Sequence, residues 1–432
     1  MKKLLYIATA IILASCSNDS MDFEQQDIRQ QKQLSKTRTV TEAIDIANAA
    51  ASQFFGTTRS AGKVVDIDNI EVVTSPTTRS NGEGNDTLLY IVNYTDNNGF
   101  AVVSASRNTE GLLAVTEQGN YDPAVESKNG GFEMFMDMAE EYVSNAIIEI
   151  PEPELQDPII YPIKEFKETR DTITDIEVAP KLEVKWGQSG EEGKFATNHR
   201  TGCVNTATAQ IMSYFCYPSQ ITLTYLGDNA RNIYLIWDEI KYHKGPHQLG
   251  CSATTNAHDA IAYLHKELGY RNNSRYFIDH PTYGTTTITL EDSTKYPFES
   301  LGYTTSDFID FYQYDLNIAS LLNENKLIFM MGSTTANGTG HAWVIDGGKK
   351  LVIADRFWTR AIGAIWEIES ETITETEYYH HNWGWYGDCN GYFNKNVLAT
   401  NGAFDYDNEG YPYDNTDYLS FRYRLKFFWV TR

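Results

Sequence analysis

The stretch Thr201-Gly202-Cys203-Val204-Asn205-Thr206-Ala207-Thr208-Ala209-Gln210-Ile211-Met212 puts one cysteine behind a glycine and directly ahead of an apolar-periodic run. Val204, Ala207, Ile211 and Phe215 share one helical stripe, which predicts a helix buried along one side with Cys203 at its N-terminus. Unpaired backbone N–H groups there favour thiolate over thiol, and the thiolate is the form that attacks a carbonyl carbon. Such a nucleophile needs a base and a group to orient that base. His341 is the candidate base, placed where the glycine-rich Asn337-Gly338-Thr339-Gly340 enters the apolar run Ala342-Trp343-Val344-Ile345. Asn382, in His381-Asn382-Trp383-Gly384-Trp385, offers a side-chain carbonyl to the far imidazole N–H, the role a carboxylate has in serine enzymes. Taken singly, Cys203 reads as a small core residue, His341 as a strand cap and Asn382 as a turn residue. Together, in the order Cys, His, Asn, they read as a catalytic set.

Cys203 and His341 are separated by 341 − 203 = 138 residues, within the roughly 130–150 that papain-type enzymes place between nucleophile and base. Three blocks, Gly202-Cys203-Val204-x-Thr206-Ala207-x-Ala209-Gln210-Ile211-Met212, Gly340-His341-Ala342-x-Val344-Ile345-Asp346-Gly347 and Asn382-Trp383-Gly384-Trp385, resemble the signature blocks of the streptopain family of secreted bacterial cysteine peptidases. The resemblance implies a thiol peptidase that hydrolyses protein or peptide substrates through a thioester. It implies further that Val184-Lys185-Trp186-Gly187-Gln188-Ser189 opens the mature enzyme, that Gln188 is the side-chain donor of the oxyanion hole beside the Cys203 N–H, and that Trp383 covers the His–Asn hydrogen bond. Two departures stand out. His341 to Asn382 spans 382 − 341 = 41 residues, which implies an inserted hairpin over about residues 349–375. The segment between Gln188 and Cys203 is short and lacks the family's Pro-Tyr-Asn pattern.

These groups need a scaffold. In the leading part, a helix over 39–55 is predicted with Thr39 and Glu42 in capping-box spacing. Strands follow over 88–94, 100–105 and 112–116, the first two joined by the hairpin signal Asp96-Asn97-Asn98-Gly99, then a helix over about 131–148. Pro151-Glu152-Pro153-Glu154 reads as the start of a linker. Further helices are predicted over 257–268 and 316–323, with a buried strand over 327–331 and strands dominating 342–393. The expected fold is α+β: a papain-like peptidase domain, its nucleophile-bearing helix packed on an antiparallel sheet, preceded by an α+β propeptide domain. The expected division is 1–15 signal peptide, 16–150 propeptide, 151–183 linker and maturation region, and 184–432 catalytic domain. The propeptide is expected to inhibit its own enzyme until removed.

Lys2-Lys3, a short apolar run and Leu13-Ala14-Ser15-Cys16 resemble a lipoprotein signal with Cys16 as the acylated residue. The protein is therefore expected to be exported, held at the outer membrane or cell surface only through that lipid, with the catalytic domain released by a cut downstream. A net charge of −23 over 432 residues speaks against a nucleic-acid partner. With Cys16 acylated and Cys203 free, Cys216, Cys251 and Cys389 leave room for at most one disulfide. His243-x3-His247-x3-Cys251 is broken by Gly245 and Pro246, and Asp405-x-Asp407-x-Glu409 lacks the final calcium-loop glutamate, so neither is assigned a metal and no cofactor is expected. Tyr406, Tyr411 and Tyr413 in that acidic loop are candidate substrate contacts. A cysteine acyltransferase or amidase using the same triad, and a catalytically silent surface-binding lipoprotein, are the competing functions.

Overall fold

The computed structural model describes residues 36–55, 66–75, 86–123, 129–146, 164–241, 255–280, 284–311, 318–333, 340–361, 364–399 and 425–432. In the leading part, helix α1 (Val40–Phe55) is followed by strands β1 (Ile67–Thr74), β2 (Thr87–Tyr94), β3 (Phe100–Ser104) and β4 (Leu112–Thr116), then helix α2 (Gly130–Ala146). Next come strand β5 (Lys164–Val178), the short helix α3 (Gly190–Gly193) and helix α4 (Cys203–Phe215). The hairpin β6 (Gln220–Thr222) and β7 (Asn232–Tyr234), helices α5 (Trp237–Lys241) and α6 (Thr255–Arg271), and the hairpin β8 (Arg275–His280) and β9 (Gly284–Ile288) follow. The remainder comprises α7 (Tyr296–Ser300), β10 (Thr304–Thr305), β11 (Ile309–Asp310), α8 (Ile318–Asn323), β12 (Leu327–Ser333), β13 (Gly340–Ala361), β14 (Glu367–Asn382), β15 (Gly391–Asn394), α9 (Lys395–Ala399) and β16 (Lys426–Thr431).

One antiparallel sheet runs through both parts in the order β1-β2-β3-β4-β15-β14-β13-β12-β16-β10. The join is the short β4–β15 ladder, in which Thr116, Val115 and Ala114 pair with Gly391, Tyr392 and Phe393. Strands β2 to β4 are buried along nearly their whole length. Tyr90, Val92, Ala101 and Val103 face α1, while Leu89, Ile91, Phe100 and Val102 join the core that holds α2 and α4. Burial on two faces is why these strands read as continuous apolar runs. The α1 capping box forms as the sequence requires: Thr39 N–H donates to Glu42 Oε2 at 2.7 Å, and Glu42 N–H to Thr39 Oγ1 at 3.3 Å.

The inserted hairpin is present as the outer parts of β13 and β14, which pair from Val344↔Asn382 out to Thr359↔Glu367. Lys164–Val178 lies inside the expected 151–183 linker, yet it is a strand, paired with β13 from Gly348↔Val178 to Ala361↔Lys164. Ile173, Ile176 and Val178 keep strand alternation except for one extra residue at Asp175, where the ladder to β13 shifts register, and that break together with the flanking charges hid the strand. Arg170 grips Asp355 through two bonds of 2.6 and 2.8 Å, and Arg356 bridges Asp171 and Glu371, so the three-stranded arm is stitched by ion pairs. The motif 243–251, the linker residues Pro151 to Glu154, the acidic stretch with Tyr406, Tyr411 and Tyr413, and the signal with Cys16 lie outside the described residues. Among the described residues no helix is long and apolar enough to cross a membrane, and Cys203, Cys216 and Cys389 are free thiols.

Candidate active site

Helix α4 opens at Cys203, with Gly202 as its N-cap, and residues 204–213 are buried. Thr208 and Thr206 turn their hydroxyls back to the carbonyls of Val204 (2.8 Å) and Gly202 (3.2 Å), so polar side chains are satisfied within a buried helix. Asn205 ties the helix start to its surroundings: its Nδ2 donates to Thr201 O at 2.7 Å and to Ser274 Oγ at 3.1 Å, and its Oδ1 accepts from Asn272 at 2.7 Å. The half-buried Cys203 sulfur faces the backbone N–H groups of Ala342, Val204 and Cys203 itself. The structure thus brings Cys203 to the strand that carries His341.

His341 stands near the start of β13, opposite Gly332 of β12. Its Nε2 bonds the Trp383 carbonyl at 2.8 Å, and its ring lies parallel to that of Trp343, centroids 6.0 Å apart. Asn382 is buried at the end of β14, but it does not reach the imidazole. Its Nδ2 donates to Val184 O at 3.0 Å, and its Oδ1 accepts from Gly384 N–H at 3.3 Å. Trp383 is buried beside both, its indole N–H donating to Cys389 O at 3.0 Å and its backbone N–H to Asn390 Oδ1 at 3.0 Å. Here the indole packs on His341, while the His–Asn hydrogen bond it was expected to cover is absent from this conformation.

Gln188 lies beside the nucleophile. Its carbonyl accepts from Thr201 N–H at 2.7 Å, and the Gly187 carbonyl accepts from the Thr206 hydroxyl at 3.1 Å, so residues 187–188 run along the first turn of α4. The Gln188 side chain is half-buried and makes no hydrogen bond among the described residues.

The leading part presses on this site. An ideal Cβ at Gly131 of α2 would stand 2.4 Å from Trp383 Cε3 and 2.6 Å from His341 Cδ2. The helix start therefore packs directly on the two rings. Asn129 caps it, accepting from Phe132 N–H at 3.1 Å while its Nδ2 donates to Asp388 O at 3.2 Å. Burial pushes the Cys203 thiol up and the His341 imidazole down to about 4, so burial favours the neutral form of each in this conformation. Gly131, Asn129, Asn390 and Tyr386 were invisible as site residues in the sequence, since only the sheet join and the α2 docking bring them here.

A cysteine at a helix N-terminus, a histidine on the adjoining strand and a glutamine beside the helix start can together perform acyl transfer once water and substrate enter. Residues 184–393 match the Peptidase C10 family, and residues 32–143 match the Spi protease inhibitor family. Streptopain from Streptococcus pyogenes is 23% identical over 351 residues, covering 74% of this chain and 78% of that protein. Thiol protease/hemagglutinin PrtT from Porphyromonas gingivalis is 24% identical over 343 residues, covering 73% of this chain and 35% of that much longer protein. Among solved structures, a prointerpain A fragment from Prevotella intermedia is 21% identical with a TM-score of 0.47, covering 83% of this chain and 98% of that one. The chain belongs to the Peptidase C10, streptopain-like family: a cysteine peptidase preceded by a Spi-type inhibitory propeptide.

Proposed function

We propose that this peptidase is an exported endopeptidase whose nucleophile is Cys203 and whose general base and acid is His341. The observation that carries the reading is the sulfur at the N-terminus of α4 facing the N–H of Ala342, the residue next to His341. After the propeptide leaves, water reaches the imidazole and the proton of Cys203 passes to it. The thiolate attacks the scissile carbonyl, forming the C–S bond; the oxyanion is met by the Gln188 side-chain N–H and the Cys203 N–H. His341 then gives its proton to the leaving amine as the C–N bond breaks, and later deprotonates the water that hydrolyses the thioester. Asn382 would have to release Val184 or Gly384 to orient the imidazole, and Trp383 shields that contact.

The zymogen is held off by geometry as well as by coverage, because Gly131 packs on His341 while Trp383 O holds its Nε2. The test is full-length wild type beside Cys203→Ala, following chain length, casein digestion and labelling of Cys203 by iodoacetamide. Wild type should shorten, digest and label, and the variant should do none of these; digestion by Cys203→Ala would end the assignment.

Export and anchoring rest on Lys2-Lys3, the apolar run after it and Leu13-Ala14-Ser15-Cys16. Cys16→Ser should abolish incorporation of labelled fatty acid, and the mature catalytic part should appear in the medium. Its retention in the membrane pellet would sink release by propeptide cleavage.

A further inference from the structure

The segment Trp186-Gly187-Gln188-Ser189 is gripped on both sides of Gln188, and one residue does most of the gripping. The Trp186 carbonyl accepts from the Tyr386 N–H at 3.5 Å. The Ser189 N–H donates to the Tyr386 hydroxyl at 3.1 Å, and Ser189 Oγ lies 3.0 Å from the same oxygen. Between these ends the phenol ring lies against Gly187 so closely that an ideal Cβ there would stand 2.2 Å from Tyr386 Cζ. Tyr386 itself has φ 58°, an uncommon backbone for a bulky residue, which persists only where its surroundings hold it. The fully buried Glu192 also holds the segment, its Oε1 accepting from Gly187 N–H at 3.4 Å.

An oxyanion donor works only if it is already aimed when charge develops. The Gln188 side chain has no hydrogen bond of its own among the described residues, so its aim depends on the backbone from which it springs. We propose that Tyr386 is a positioning residue for peptide-bond hydrolysis: it straps residues 186–189 at both ends and so keeps the Gln188 amide pointed at the acyl oxygen, with Glu192 as a second strut. This rests on the reading of Gln188 as an oxyanion donor given above. The Tyr386 hydrogen bonds given above involve neither the sulfur nor the imidazole, so loss of its hydroxyl should leave nucleophile reactivity alone.

The test compares wild type, Tyr386→Phe, Ser189→Ala, Gln188→Ala and Tyr386→Phe/Gln188→Ala, each activated from the full-length chain in the same way. Readouts are kcat and KM on a peptide substrate and the alkylation rate of Cys203 by iodoacetamide. Tyr386→Phe keeps the ring and removes the hydroxyl, losing both Ser189 contacts; Ser189→Ala loses only the Oγ contact and keeps the N–H bond. Tyr386→Phe should lower kcat about 10-fold and Ser189→Ala about threefold, each with KM and alkylation within twofold, and Gln188→Ala should lower kcat by about 10²–10³-fold. The double variant should be no slower than Gln188→Ala alone. Wild-type kcat in both Tyr386→Phe and Ser189→Ala, or effects that multiply in the double variant, would overturn the strut while leaving the Gln188 assignment intact. Wild-type kcat in Gln188→Ala would remove both together.

Discussion

Glu117 Oε1 stands 3.4 Å from His380 Nε2, while its Oε2 stands 3.0 Å from Lys185 Nζ. A carboxylate of the propeptide region is thus closed upon by two cations of the peptidase region. His380 is bonded on its other side, through Nδ1, to Asp346 Oδ1 at 2.6 Å, and Asp346 Oδ2 accepts from Leu182 N–H at 2.8 Å. Removing one member of such a cluster strands the others. Glu117→Gln should weaken propeptide docking by about 1–3 kcal/mol, which would make maturation up to about 5- to 150-fold faster. Timed gels of full-length chain check this, and unchanged maturation would show that the clasp carries no grip.

The pH response of the folded chain's stability follows from three groups, Glu117, His380 and His341. Burial disfavours the charge on Glu117, but the hydrogen bond and charge of His380, then Lys185, outweigh it and hold the carboxyl at about 2. Its contribution is present above the ordinary carboxylate range near pH 4.5 and is lost only as pH falls through about 2. Burial also disfavours the charge on His380, but Asp346 and then Glu117 raise it to about 9, so its contribution is present below pH 6.5 and fades as pH rises through 9. His341 works the other way at low pH. Burial holds it at about 4, so the closed form loses stability between pH 6.5 and 4, as opening lets the ring take a proton. The melting temperature of the unprocessed Cys203→Ala chain should therefore fall as pH drops through that acid window, and a flat profile would show that the buried His341 contributes nothing to it.

Gly131→Ala places a methyl group where Trp383 and His341 already stand. Overpacking of this order costs about 1–3 kcal/mol. The start of α2 must lift, and the unprocessed variant should alkylate faster at Cys203 and mature sooner than wild type, with a lower melting temperature. Wild-type alkylation would mean that the rings yield instead of the helix.

Asn382→Ala leaves the Val184 carbonyl without a donor and the Gly384 N–H without an acceptor. The unprocessed chain should lose about 1–3 kcal/mol of stability for that reason alone, checked by denaturant melts. In the mature enzyme kcat should fall as well, with an altered pH profile, if Asn382 swings to the imidazole. A stability loss without a kcat loss would assign Asn382 to scaffolding only.

Local signals in the chain predicted local structure well. Thr39 and Glu42 marked the start of α1, Asp96 to Gly99 marked the β2–β3 turn, and the Val204, Ala207, Ile211 stripe marked α4 with Cys203 at its head. Strand β1 was missed because half-exposed Ile67, Ile70 and Val72 alternate weakly among polar residues at a sheet edge. Strand β5 was hidden for a related reason: most of its side chains face water, so its charges resembled those of a linker. The β4–β15 pairing joins residues nearly 280 positions apart, and no periodicity encodes such a partner. The bonds that His341 makes to Trp383 O and Asn382 to Val184 O carried no local signal, because they join segments that only the fold brings together.

The β4–β15 ladder has a further consequence for the liberated enzyme. A cut upstream of Lys164 would leave β5 riding with the peptidase on β13, whereas departure of β4 would bare one flank of β15. That flank is a fresh row of amides and carbonyls seeking a strand, adjacent to the buried Phe393. Maturation would therefore trade an inhibited protein for a sticky one, and light scattering of activated enzyme at rising concentration should register the self-association that the intact chain resists.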